Sequence, residues 1–155
     1  MIDATTHARG MTVRAARVVP LVPREVFNLF TDPAALRAWW GRTQKSALTS
    51  CECDVRSGGK FRFALRAASG GEDVLIGHYV EIAPPHKLCF TWSSENAADA
   101  VTDTYVTVEF LDLKDGATRV VITHQGLPSP AAAALYSAGW HDVMQDMSLH
   151  ALGVS

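Results

Sequence analysis

His124 is the side chain in this sequence best suited to move a proton near neutral pH, because a free imidazole titrates at about 6.5. It closes the run Val120-Val121-Ile122-Thr123-His124, where strand alternation puts it on the side of Val120 and Ile122. Gly126 and Pro128 follow, so the ring is expected at the end of its strand, where an opening would let it meet a ligand oxygen or act as acid or base. The plainer alternative is a histidine hydrogen-bonded to backbone at a strand end, since the sequence places no carboxylate to orient it. Both readings stay open.

The other polar groups that could serve such a site are Glu52, Asp54, Arg56, His78 and Tyr79. Glu52 and Asp54 alternate with Cys51 and Cys53, so thiols facing inward leave the acids in water. Arg56, beside the Gly58-Gly59 turn, then pairs with Asp54. Cys51 and Cys53, two apart on a strand, would have parallel side chains and Cα atoms roughly 7 Å apart, a poor disulfide geometry. With Cys89 they make three, an odd number that fits a reducing compartment and small buried thiols. No CxxC or HxxxH spacing occurs, and GxSxG, GxxxxGK[ST], HExxH and EF-hand loops are absent, so no metal and no cofactor is expected.

These groups need elements to position them. Residues 129–152 read as one helix of five or six turns, with Ser129 as N-cap, Pro130 at the first helical position and Gly153 at the left-handed C-terminal cap. Tyr136, Trp140, Val143, Met144, Met147 and Ala151 form an apolar stripe, opposite Ser137, His141, Asp142, Gln145 and Asp146. A helix roughly 35 Å long with such a stripe needs an apolar sheet to lie on. Upstream, the alternation of residues 48–55, 60–67, 74–82, 87–92, 102–113 and 117–124 predicts six strands, with a seventh over residues 11–20 near an edge because of Arg14 and Arg17. Turn chemistry at Gly58-Gly59, Gly70-Gly71, Pro84-Pro85 and Asp115-Gly116, and a polar stretch over residues 93–100, makes the connections short and the pairing antiparallel. Between the first two strands, Pro23 opens one short helix and Asp32-Pro33 the next. That second helix runs through Leu36, Trp39 and Trp40, one indole packed inward and the other closing a rim.

Alternation also sorts the faces. Phe61, Phe63, Leu65, Leu88, Phe90, Trp92, Val106, Val108, Phe110, Val120 and Ile122 share one side; Arg62, Thr107, Glu109, Arg119 and Thr123 share the other. The oily side is where the last helix must lie. A ligand cavity between them is expected to be lined by Trp39, Trp40, Phe61, Phe63, Tyr79, Phe90, Trp92, Val106, Val108, His124, Trp140 and Met144. The plain alternative is that these residues only fill the core.

The 155 residues suit one domain, which buries about 70% of its unfolded surface at this size. We expect a flexible tail over residues 1–11 and a single domain over residues 12–155. A formal net charge of −2 with 19% charged residues provides no basic stripe, which excludes nucleic acid and an anionic membrane as main partners. The first eleven residues lack an apolar core and no window reaches the length of a membrane span, so a cytoplasmic location is expected.

The ordered stretches VPREVFNLFTDPAALRAWWG, CECDVRSGGKFRF, GHYVEIAPPHKLCFTW, TYVTVEF, THQGLP and Gly139-Trp140 resemble the bacterial proteins grouped with the activator of the heat-shock-protein-90 ATPase. That group lies within the START-like and birch-pollen-allergen-like superfamily, which also holds polyketide cyclases, and the likeness spans residues 13–152. It implies an α+β helix-grip fold: a seven-stranded curved antiparallel sheet wrapped around a long C-terminal helix, with two short helices between strands 1 and 2. It further implies a small hydrophobic or aromatic molecule held between sheet and helix. The alternatives it carries are a cyclase-, aromatase- or hydrolase-type enzyme using the same cavity, with His124 as proton carrier, and a co-chaperone-like module that activates an ATPase. A homodimer and a chaperone partner stay open with them.

Overall fold

Six consecutive strands joined by Gly, Pro and Asp turns lack the chain length for crossovers and must pair antiparallel. The computed structural model, which describes residues 10–41, 46–95 and 100–153, contains β1 (Met11–Val19), α1 (Pro23–Thr31), α2 (Pro33–Trp39), β2 (Ala47–Cys53), β3 (Lys60–Arg66), β4 (Glu72–Ala83), β5 (Lys87–Ser94), β6 (Thr104–Asp112), β7 (Thr118–Leu127) and α3 (Pro130–Ala151). The strands form one seven-stranded sheet in the order β1-β7-β6-β5-β4-β3-β2, with every neighbouring pair antiparallel. With the long C-terminal helix on its inner face, this is the α+β helix-grip architecture. β1 begins at Met11, the last residue of the expected tail, and residues 1–9 lie outside the described residues.

β1 and β2 are the sheet's edges. Arg14 and Arg17 are exposed on β1, where charged side chains discourage pairing with a second sheet. β7 does not stop at His124. Met11 and Val13 of β1 pair with Leu127 and His124, and this neighbour carries the strand three residues further. The face assignment holds: Phe61, Phe63, Leu88, Phe90, Trp92, Val106, Val108, Phe110, Val120 and Ile122 are buried, while Arg62 and Arg119 are exposed.

The short helices follow their caps. The Asp32 carboxylate accepts from the Ala34 amide at 3.1 Å, and Pro33 fills the first position of α2. Helical spacing would force Trp39 and Trp40 apart, but the chain leaves the helix at Trp40, which is extended (φ −68°, ψ 128°). Both indoles therefore turn inward, at 0% and 9% exposure, and Trp39 donates its N–H to the Leu29 carbonyl at 2.9 Å. Rim and interior were not alternatives at this pair.

α3 starts where the Ser129 hydroxyl accepts from the Ala132 amide at 3.1 Å, and Gly153 beyond its end is left-handed (φ 75°). Trp140, Val143, Met144 and Met147 are buried, as the stripe requires. Asp146, expected on the wet face, is buried too, together with Ser148, because a helix lying in a curved sheet is covered on more than one side. Its backbone approaches β1 more closely than any other strand, which leaves the β3–β4 half of the sheet facing the helix across a gap.

Candidate functional site

The interior between sheet and helix is an aromatic cluster, and it is almost full. Phe61 lies 5.1 Å from Phe63, 5.6 Å from Tyr79 and 5.5 Å from Phe90, centroid to centroid. The void among these rings, bounded also by Trp40, Trp92 and Trp140, is about 20 Å³, room for one water and not for a ligand. Gly77 is needed at this point. A Cβ there would stand 1.9 Å from the Thr91 carbonyl oxygen and 2.6 Å from the Phe61 ring, so the missing side chain is what lets that ring lie against β4.

The larger opening lies at the gap. A cleft of about 270 Å³ runs between α3 and the β3–β4 side, walled by Trp40, Leu65, Leu75, Trp92, Tyr136 and Trp140, with Leu135, Gly139 and Val143 along the helix and Ser46, Asp73 and Asp142 as its polar groups. Trp40, Trp92 and Trp140 border both spaces, so the cleft is the mouth and the small void its floor. The indole of Trp92 donates to the Tyr136 hydroxyl at 3.1 Å, which fixes two walls relative to each other. Apolar walls with few polar groups are the usual make-up of a small-molecule site, and about 270 Å³ is just below the usual range of about 300–1,000 Å³.

Of the residues expected around a cavity, Trp40, Phe61, Phe63, Tyr79, Phe90, Trp92 and Trp140 line the void or the cleft. Trp39, Val106, Val108 and Met144 belong to the surrounding core and border neither, since α3 presses closest on the β1 side and leaves no space there. His124 borders neither as well. It is wholly buried, its Nδ1 accepts from the Trp140 indole at 3.0 Å, and its Nε2 meets the Thr104 hydroxyl at 2.7 Å. Burial pushes its pKa down to about 3, so the ring is neutral. Its partners are side chains, neither the backbone groups nor the ligand that the sequence suggested.

The remaining polar candidates scatter. Glu52, Asp54, Arg56 and His78 are exposed; Arg56 pairs with Asp54 at 2.8 Å, as expected. His78 lies on the outer face beside Thr91 at 3.2 Å, in an open groove shared with Lys60, Arg62 and Glu52. That groove holds about 480 Å³, more than the cleft, but it lies on the sheet's solvent side and most of its lining residues are charged or polar, Glu52, Lys60, Arg62 and Asp103 among them, which suits an apolar ligand less well. Cys51 and Cys89 are buried and Cys53 is half-buried, all three unpaired by disulfides. The Cys51 hydrogen bond holds the Cys53 thiol below its usual range against the cost of burial, with Tyr79 acting the same way. The same contact raises Cys51, and burial foremost raises Tyr79. Among the described residues no three His, Cys, Asp or Glu side chains are placed to hold a metal ion, and no helix is long and apolar enough to cross a membrane.

Sequence reasoning missed Ser46, Leu65, Asp73, Leu75, Leu135, Tyr136, Gly139, Asp142 and Val143 as cleft residues. One signal was available: a glycine inside an alanine-rich helix weakens it, so Gly139 called for a reason. No heavy atom outside its own helix backbone and chain neighbours lies within 4 Å of a Cβ built there, so no contact requires the glycine and the space beside it is open. The others depend on how far the helix tilts from the sheet, which alternation does not encode.

Comparison with known proteins agrees with this architecture. Residues 20–151 match the family described as activator of Hsp90 ATPase homolog 1-like protein. Among solved structures, a protein from Chromobacterium violaceum is 26% identical, with a TM-score of 0.77 over 90% of this chain and 96% of that one. An HSP90 activator from Plasmodium falciparum is 27% identical, with a TM-score of 0.68 over 94% and 99%. An AHSA1-like protein from Aeromonas hydrophila shares the fold at 21% identity, with a TM-score of 0.74 over 94% and 96%. No curated protein matches the sequence.

Proposed function

We propose, from the premise that this chain belongs to the activator of Hsp90 ATPase homolog 1-like family, that it is a binding domain for a small hydrophobic or aromatic molecule. The observation that carries this reading is the cleft of about 270 Å³ between α3 and the β3–β4 side, three of whose walls are tryptophans. Apolar surface at its walls is left in water in the empty protein, and a ligand that covers it gains about 25 cal/mol for each Å² removed from solvent. The α3 helix and the tightly packed rings beneath the cleft make it a pre-formed site, which lowers the ordering cost of binding.

The enzyme alternative had His124 as its likeliest proton carrier. With both ring nitrogens engaged and the ring away from the cleft, that residue lends it no support. Among the cleft's described lining residues, Asp73 and Asp142 are accompanied by no histidine, cysteine or lysine that would serve as a base or strong nucleophile. A second reading, an interaction module that stimulates an ATPase, draws on the HSP90 activator from Plasmodium falciparum, which is similar over nearly the whole of both chains. It is read directly from the ATP turnover of a purified Hsp90 with and without this protein.

The binding reading is tested by titrating the protein with a neutral naphthalene-sized probe while following tryptophan fluorescence and backbone amide shifts. Saturable quenching with shifts concentrated at Leu65, Leu75, Leu135 and Gly139 supports it. Shifts confined to the outer groove at His78 and Arg62, or no saturable binding, reject it.

A further inference from the structure

We propose that Cys51 and Cys53 form a two-sulfur site for Cu(I), a soft monovalent metal ion. Neither cysteine lines the cleft, so this site stands apart from the ligand reading above.

The pair is built by its strand. β2 is an edge of the sheet, and residues two apart on a strand point to one side. Cys51 pairs across to Phe63 and Cys53 to Phe61, which puts both thiols on the inner, aromatic side. Cys51 is buried there, and Cys53, at the last position of the strand, is half-buried and reachable from solvent. The two thiols share a hydrogen bond, and the Tyr79 hydroxyl bonds to Cys53 as well. Tyr79 is fixed by its own backbone, which bonds to Gly58 and Gly59 in the turn between β2 and β3 at 2.8 Å each. From the other side, Arg37 of α2 donates to the Thr49 carbonyl of β2 at 3.4 Å. Its charge favours the thiolate form at Cys51, against the opposing charge of Asp32.

Two sulfurs so placed suit a metal ion better than they suit each other. A disulfide needs them about 2.05 Å apart with converging Cβ atoms, which parallel side chains on one strand do not offer. A linear sulfur-metal-sulfur unit with bonds of about 2.3 Å spans about 4.6 Å. A pair already in hydrogen-bond contact reaches that span by turning about the Cα–Cβ bonds.

Charge then selects the valence. The contact between the thiols lets Cys53 lose its proton first while Cys51 keeps its own, so the ionised pair holds one shared proton and one negative charge. A monovalent ion that takes the place of this proton releases it to water and leaves the charge of the site unchanged, which matters where burial makes added charge costly. A divalent ion changes that charge. Zinc also wants four donors, and among the described residues no three His, Cys, Asp or Glu side chains are placed to hold a metal. Soft thiolate ligands select Cu(I), for which two donors in line suffice.

The test titrates the reduced full chain, without oxygen, against the Cu(I) complex of bathocuproine disulfonate, whose loss of colour reports transfer of the metal. One Cu(I) per chain is expected, with an excess of Zn(II) failing to displace it. Cys51→Ser and Cys53→Ser should each weaken binding by more than the roughly 10- to 100-fold that loss of an outer partner costs. Tyr79→Phe, which removes such a partner, should weaken it roughly tenfold. Cys89→Ser should bind like wild type, because that thiol lies against Thr107 at 3.8 Å on the opposite face of the sheet. Circular dichroism checks that each variant is folded, and X-ray absorption on the wild-type complex, which needs no variant, should show two sulfur neighbours and no others. No transfer, one ion shared by two chains, displacement by Zn(II), undiminished binding by a folded Cys53→Ser, or a third neighbour on the metal overturns the proposal.

Discussion

The indole N–H of Trp140 on α3 donates to Nδ1 of His124 on β7 at 3.0 Å. An indole nitrogen can only donate, so Nδ1 is the acceptor and the ring's proton sits on Nε2, facing the Thr104 hydroxyl at 2.7 Å. Thr104 in turn donates to the Trp92 carbonyl at 2.7 Å. The four groups form one directed chain from the helix across β7 and β6 to β5, with every buried polar atom in it satisfied. It clamps the helix onto the sheet and sets the indole that walls the cleft.

Breaking that chain has a cost that depends on what is removed. Trp140→Phe keeps most of the ring volume but orphans the buried Nδ1, for a loss of about 1–3 kcal/mol. Trp140→Ala also empties a core site and should lose about 3–5 kcal/mol. Urea unfolding of the two variants checks the order. A loss well under about 1 kcal/mol for Trp140→Ala would mean that the ring is only wall.

Acid should act through His124. Its folded pKa, about 3 against about 6.5 for a free imidazole, means that between these values the unfolded chain holds one more proton than the folded one. Stability from this residue is complete above about pH 6.5 and falls by up to about 1.4 kcal/mol for each pH unit below it, until the folded ring protonates. Because carboxylates also respond to acid, the measurement is a difference. The advantage of the wild type over His124→Gln at about pH 7.5 should shrink as the pH is lowered toward about 4.5. A gap that stays constant would place the histidine in water.

His124→Gln should also leave ligand binding nearly intact. The ring does not border the cleft, so affinity for an apolar probe, corrected for unfolded protein, should change by no more than about 0.5–1.5 kcal/mol. A screen of aromatic ketone, polyketide and ester substrates should show no turnover that depends on His124. Turnover abolished by the substitution would restore the enzyme reading.

The two glycines should respond in opposite directions. Gly139→Ala meets no atom within 4 Å and should stabilise α3 by about 0.5–1 kcal/mol. Gly77→Ala forces its methyl against the Thr91 carbonyl and the Phe61 ring and should destabilise by about 1–3 kcal/mol. Thermal melts of both variants decide it; a stabilising Gly77→Ala would contradict the packing at Phe61.

Periodicity and cap residues carried most of this architecture in the sequence. Ser129, Pro130 and Gly153 bound the last helix, and alternation in β3, β5, β6 and β7 sorts inner from outer side chains. The parity of His124 with Ile122 was legible for the same reason. Its burial was not, because it depends on β1 continuing alongside β7 as far as Leu127, a pairing between residues more than a hundred apart. The cleft was legible only as a set of aromatics. Which of them touch space and which touch each other depends on the tilt of α3 toward β1, and that follows from the packing of the whole layer. Asp146 shows the same limit, since a polar residue on the expected wet face is covered by a sheet that curves around it.

The claim that binding happens in the cleft meets its most direct test at Gly139, where the helix leaves space that a large side chain would fill. Wild type, Gly139→Ala and Gly139→Trp are titrated with the same naphthalene-sized probe, and their melting temperatures are compared. The account predicts that the alanine variant binds like wild type, while the tryptophan variant stays folded and loses roughly tenfold or more in affinity. Undiminished binding by a folded Gly139→Trp would contradict it, because the ligand would then have to sit elsewhere.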